Sequence, residues 1–239
     1  MNSRIKNHIA FWIAPSLFLL VCMSIYFLDV LGLSFVIAPG NNREFGLIEN
    51  VQLLTILSIT FLAFRSAQRS DNRLEKIFYT GVSIFSFIIF LEEIDYGIHF
   101  YELIMNILNS EGEAKVYQGQ IRNIHNQGDI RHYIKIFVYT SFVLFLGLLP
   151  LIKHKLYISN PALKWIIPSS KYFGLSLVSM ALLNRLAVFL DQNVKDPVID
   201  SLNGNTMEFE ECYIYYIALL YFYELTNKTF PLMKLKLGR

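Results

Sequence analysis

Apolar residues run through this chain in long blocks, with the polar residues gathered between them, and that pattern predicts membrane-length helices before any motif is read. Six blocks stand out, at residues 9–38, 47–64, 77–99, 133–152, 172–190 and 207–225. The first is long for a single span, which implies tilt, a kink near Pro15 or an interfacial end, and Pro39-Gly40-Asn41-Asn42 stops it. The second opens with Glu49, Asn50 and Gln52 and is apolar or hydroxylic thereafter. The third carries no charge from Ile77 to Leu91. That stretch alone cannot cross ~30 Å of hydrocarbon, which at ~1.5 Å per residue needs about 20 residues. The helix must therefore take Glu92, Glu93 and Asp95 into the membrane with it and run on towards His99.

The connection at 100–132 differs from the others. Residues 100–108 have the apolar spacing of a short amphipathic helix lying on the membrane surface. Residues 118–127 are almost wholly hydrogen-bonding side chains, anchored by Ile121 and Ile124. Glycines at 112, 119 and 128 would let such a segment hinge as a lid.

Composition agrees with the pattern. The 239 residues are 54% hydrophobic and only 17% charged, richer in apolar and poorer in charged side chains than a soluble domain. The expected fold is all-α, a single polytopic membrane bundle over 1–239. A net charge of +2 is too small to argue for nucleic acid as a partner. Cys22 and Cys212 both lie in apolar segments, so neither a disulfide framework nor metal-type cysteine spacing is present. The first block is longer than the core of a signal peptide and ends in Ala-Pro-Gly, so no cleavable signal is expected.

Charge sets the expected topology. Fourteen Lys and Arg fall in the N-terminal, second-to-third, fourth-to-fifth and C-terminal segments, against five in the remaining connections. By the positive-inside rule both termini are cytoplasmic, which an even number of spans requires. On that topology Asp29, Glu49, Glu92, Glu93, Asp95, Asp191, Glu208, Glu210 and Glu211 all fall in or just above the outer leaflet. Asn184 and Arg185 fall in the same layer, so a buried cation is expected among the acids. A carboxylate at depth costs roughly 2.5 kcal/mol or more unless paired, hydrated, protonated or bound to a cation. The inner halves of the helices are nearly bare of charge, with Glu224 the exception. A polar cavity open to the extracytoplasmic side is the economical explanation.

On a helix Glu92, Asp95, Tyr96 and His99 share a face, while Glu93 points about 100° away from Glu92. If His99 or His125 approaches Glu92 and Glu211, two carboxylates and an imidazole would suit a divalent metal such as zinc. Its bound water would then attack an ester, amide or phosphate. Glu93, His125 and Glu211 form the expected metal set. Without a metal, crowded acids supply a general acid beside a general base. Plainer readings stand beside these. Glu92 or Glu93 with Arg185 would be an interhelical brace, His99 an interfacial side chain, and the first-turn acids of the sixth block ordinary helix N-terminal acids. The tyrosines of that block would be packing material.

The run Glu92-Glu93-Ile94-Asp95-Tyr96-Gly97, followed by Gln118-Gly119-Gln120-Ile121-Arg122-Asn123-Ile124-His125-Asn126, resembles a group of uncharacterised bacterial integral membrane proteins. Their pattern is Glu-Glu-Ile-Ser-Trp-Gly-Gln and later Gln-Gly-Glu-x-Asn-Leu-His-Asn. The resemblance covers about residues 90–126 and departs at Asp95-Tyr96, Ile98 and Gln120. It implies that Glu92, Glu93, Asn123, His125 and Asn126 act as one unit, implies a bacterial cytoplasmic membrane, and implies no reaction.

His-Glu-x-x-His, Walker A, Gly-x-Gly-x-x-Gly and the Gly-Asp pair of intramembrane aspartyl proteases are absent, as is a clear inverted repeat of broken helices. Two classes remain. One is a metal-assisted hydrolase or transferase on a lipid or lipid-linked substrate, with Glu92, Glu93, His125 and Glu211 catalytic and Glu49, Asp95, His99, Asn123, Asn126 and Arg185 binding. The other is a non-enzymatic subunit, or a cation or proton pathway, whose acids bind a ligand or partner. Because the inner leaflet lacks a polar continuation, a one-sided site and the enzyme are favoured.

Overall fold

A computed structural model describes residues 7–39, 46–94, 128–152, 161–194 and 206–228. All regular structure among them is helical. Eight helices are numbered here: α1 Ile9–Phe27, α2 Ser34–Ile37, α3 Leu47–Arg69, α4 Arg73–Glu93, α5 128–152, α6 Pro161–Ile166, α7 Tyr172–Asn193 and α8 Met207–Thr226. Four of them, α1, α3, α4 and α7, are long and apolar enough to cross a membrane. The continuous apolar part of α5, Ile136–Ile152, is shorter, and α8 carries too much polar surface to join that set.

The first apolar block does not form one helix. Helix α1 ends at Phe27, and Asp29, Leu31 and Gly32 all take left-handed backbone angles, with φ of 44°, 61° and 66°. Asp29 tolerates that region because its short side chain bonds locally: Oδ1 accepts from the Ser34 amide at 3.2 Å. Apolar composition alone does not reveal such a reversal. The expected kink near Pro15 takes the form of a π-helical turn over Ile9–Ile13. Val143–Leu148 in α5 forms a second π segment, two residues before Pro150 as the first is two before Pro15. A proline ring crowds the carbonyl four residues back and offers it no N–H, and a widened turn relieves the clash.

The carbonyls that Pro15 cannot serve are satisfied from other helices. Ser176 donates to Phe11 O at 2.6 Å and Tyr216 to Ala10 O at 2.7 Å. In hydrocarbon such a carbonyl finds no water, so these hydroxyls are structural necessities. They also give the tyrosines of α8 a more specific part than packing.

The helices α3 and α4 form a tight hairpin. Asn72 caps α4, its side chain accepting from the amides of Leu74 and Glu75 at 2.9 and 3.3 Å. Small hydroxylic residues let the two backbones approach, with Thr60 donating to Ser86 at 2.8 Å and Ser83 to the Thr60 carbonyl at 3.3 Å. Helix α8 packs along α3 and α7 and touches α1. Its buried residues, from Glu208 to Leu225, cover most of its circumference, so it is enclosed chiefly by protein. Outward-facing stripes are apolar: Leu54, Leu57, Phe61 and Phe64 on α3, and Leu175, Val178, Leu182 and Phe189 on α7. Exposed apolar surface on this scale belongs against lipid.

Candidate functional site

Chain direction brings the acids together. Helices α3 and α8 begin at the end of the bundle where α4 finishes, so Glu49, Glu93, Glu208, Glu210 and Glu211 all come to that end. The first turn of α8 favours acids because its free N–H groups and dipole present positive potential. Below them the spacing from Glu208 to Glu211 to Tyr215 puts one acidic-phenolic edge on α8.

Three hydrogen-bonded pairs order this layer. The Tyr215 hydroxyl donates to Glu93 Oε1 at 2.6 Å, linking α8 to the last turn of α4. Tyr139 of α5 hydrogen-bonds Glu210, and Glu211 lies in the electrostatic field of both phenols. Gln52 of α3 donates through Nε2 to the Glu208 carbonyl at 3.0 Å and to Glu208 Oε2 at 3.4 Å. Glu208 and Glu210 are buried, while Glu49, Glu93 and Glu211 are half-buried. Beneath the layer lie the buried free thiols of Cys22 and Cys212, with Glu49 and Glu208 within electrostatic reach of the latter.

Gln52 is the least ordinary member. It is 0% exposed, yet among the described residues its Oε1 has no hydrogen-bond partner. A buried acceptor left open costs about 1–3 kcal/mol, and native folds rarely retain one without a use. The amide nitrogen sits against the Glu208 carboxylate, so the open oxygen belongs to the same acidic layer.

The expected site residues divide into three groups. Glu49, Glu93 and Glu211 do come to one end of the bundle, and Glu92 lies half-buried in the last turn of α4, turned away from Glu93. Asp95, His99, Asn123, His125 and Asn126 lie outside the described residues, as do the surface helix and lid expected at 100–127. Arg185 is a correction. Instead of being a buried cation among the acids, it lies on the exposed stripe of α7, in register with Leu182 and Phe189. Helical phase decides this, since the buried side of α7 carries Leu183 and Ala187. Its neighbour Asn184 turns inward, with Oδ1 buried and, among the described residues, without a hydrogen-bond partner.

Gln52, Tyr139, Tyr215, Glu208 and Glu210 were not among the expected site residues. The available signals were an amide set in the apolar run from Val51 to Leu54 and the 3-then-4 spacing of Glu208, Glu211 and Tyr215. Among the described residues no three His, Cys, Asp or Glu side chains are placed to hold a metal ion. Neither a family model, nor a curated protein, nor a solved structure matches this chain.

Proposed function

We propose that the protein is a six-span membrane protein, with both termini cytoplasmic in a bacterial cytoplasmic membrane, whose outer end binds the ammonium group of a membrane-borne ligand. The open, fully buried Gln52 Oε1 beside the Glu208 carboxylate carries this reading. An ammonium N–H would complete the amide oxygen and lie beside the Glu208 carboxylate. Oxygen acceptors dominate the layer, and the tyrosines hold the carboxylates in place beforehand, which lowers the ordering cost of binding. The side of the membrane follows from the distribution of Lys and Arg.

Acid–base chemistry on the bound ligand is a second reading, favoured by the 2.6 Å contact between Tyr215 and Glu93. A phenol donating to a carboxylate at that distance is a proton-transfer pair in a lipid-linked hydrolase or transferase. The metal-assisted form of that chemistry draws no support from the described residues.

The test is retention of lipid by the purified protein, read by native mass spectrometry. Phosphatidylethanolamine, which offers ammonium N–H donors, is expected to be retained over phosphatidylcholine, which offers none. Gln52→Leu and Glu208→Gln should each erase that preference. Equal retention of the two lipids by the wild type overturns the reading. Cysteine labelling from either side of the membrane, at Asn7→Cys and Asn193→Cys, tests the topology separately.

A further inference from the structure

The opposite end of the bundle carries an open cleft. Two cavities of about 510 and 730 Å³ open there, joined through their shared walls at Leu151, Lys171 and Tyr172. Both volumes fall in the ~300–1,000 Å³ range of small-molecule sites. The starts of α1 and α7 and the ends of α5 and α8 form the rim, which is where a bilayer would place its headgroups.

The polar groups of this cleft select for negative charge. Lys171 is exposed at the rim, and no hydrogen bond or ion pair among the described residues uses its ammonium. His8 lies across from it, edge-on to Tyr172 with ring centroids 4.7 Å apart. Trp12 Nε1 donates to His8 Nδ1 at 2.9 Å. That bond makes Nδ1 an acceptor, so the ring proton sits on Nε2, which becomes a donor. The acid in the wall, Glu224, is already neutralised: its Oε1 pairs with Lys228 Nζ at 2.8 Å, and its oxygens accept from the Ser169 and Ser170 amides at 2.6 and 3.2 Å. The cleft therefore offers an unengaged ammonium and an imidazole N–H.

Its walls are apolar where they meet the membrane. Leu151 and Leu175 line the first cavity and are 60% and 44% exposed, and Leu175 begins the lipid-facing stripe that continues through Val178 and Leu182. A ligand seated here has its charge at the rim and a hydrocarbon path along α7. We infer that the cleft between the starts of α1 and α7 binds the phosphate headgroup of an anionic phospholipid, through Lys171 and His8, with an acyl chain laid along α7. Basic clefts between helices at a membrane surface suit such headgroups. This site is independent of the acidic end and does not depend on which face of the membrane it meets.

The full-length protein in detergent, exposed to equimolar phosphatidylglycerol and phosphatidylcholine, tests the inference by native mass spectrometry. Wild type should retain phosphatidylglycerol in preference. Lys171→Gln should reduce that retention about fivefold, His8→Ala should reduce it as well, and Lys171→Arg should restore it. Lys164→Gln removes an exposed charge on α6 that does not line the cleft, and it should change nothing. Thermal melts of each variant separate lost binding from lost folding, and Lys171→Arg keeps the test open if Lys171→Gln does not fold. Equal retention of the two lipids, or an equal loss from Lys164→Gln, overturns the inference. Displacement of the lipid by excess inorganic phosphate or glycerol phosphate would make the occupant a soluble anion and overturn the lipid assignment.

Discussion

The two ends of α8 carry carboxylates that the fold treats in opposite ways. At its C-terminal end Glu224 is closed off by one ammonium and two backbone amides, and these contacts pin the segment leading into α7. Two further bonds support the clamp, Tyr221 donating to Ile166 O at 2.9 Å and Lys228 to Ile167 O at 2.8 Å. At its N-terminal end Glu93, Glu208 and Glu210 accept, among their contacts, from Tyr215, Gln52 and Tyr139, and the buried Gln52 Oε1 stays open among the described residues. The residue type is the same. The donors supplied by the surrounding helices differ: a lysine and two backbone amides at Glu224, phenols and a side-chain amide among the contacts at the other end.

The contrast can be broken most forcefully at the staple. Glu224→Ala should cost about 2–3 kcal/mol, a fall in melting temperature of roughly 5–10 °C, because it removes the charge partner of Lys228 and orphans two amides at once. The lipid preference at the acidic end should survive in the fraction that folds. Tyr215→Phe comes next, at about 1–3 kcal/mol, since it removes a short phenol-to-carboxylate hydrogen bond between two helices. Here retention of phosphatidylethanolamine should fall together with stability. A thermal melt paired with lipid retention reads both changes, and a loss of stability alone would make Tyr215 a second staple.

Smaller effects sharpen the comparison. Tyr216→Phe should cost about 1 kcal/mol by withdrawing the hydroxyl from Ala10 O, whereas Tyr223→Phe, on an exposed side chain, should be silent in the same melt. Gln52→Leu removes both an open acceptor and a donor, so stability should move by no more than about 1 kcal/mol while the lipid preference vanishes. That split is the mark of a binding group. Elemental mass spectrometry of wild type, Glu93→Gln and His125→Ala should show no stoichiometric metal. Near one zinc per chain, lost in both variants, would return the acidic end to metal-assisted chemistry.

Much of the frame is legible in the chain. Uninterrupted apolar runs locate α3, α4 and α7 to within about two turns, because the length of a lipid-facing helix is written in its residues, although α4 ends at Glu93 where the run is expected to continue towards His99. The gathering of Glu49, Glu93 and Glu211 is equally legible, since alternating helix direction alone sends both ends of a hairpin to one side. Three features resisted. The block at 9–38 breaks at Asp29 through left-handed backbone that hydropathy does not register. Arg185 faces outward because a shift of one residue rotates a side chain by about 100°. Gln52 looks like one polar residue among several at a helix start, and only its complete burial against Glu208 sets it apart.

By itself the sequence determined that this is a helical protein with membrane-length apolar segments and acids concentrated at one end, because hydrophobic length and charge placement are local properties of the chain. The tertiary structure alone decided which donors each carboxylate meets. That outcome depends on donors separated in the chain by more than a hundred residues, as Tyr215 is from Glu93 and Gln52 from Glu208. Such pairings are set by helix rotation and packing, which no local pattern encodes.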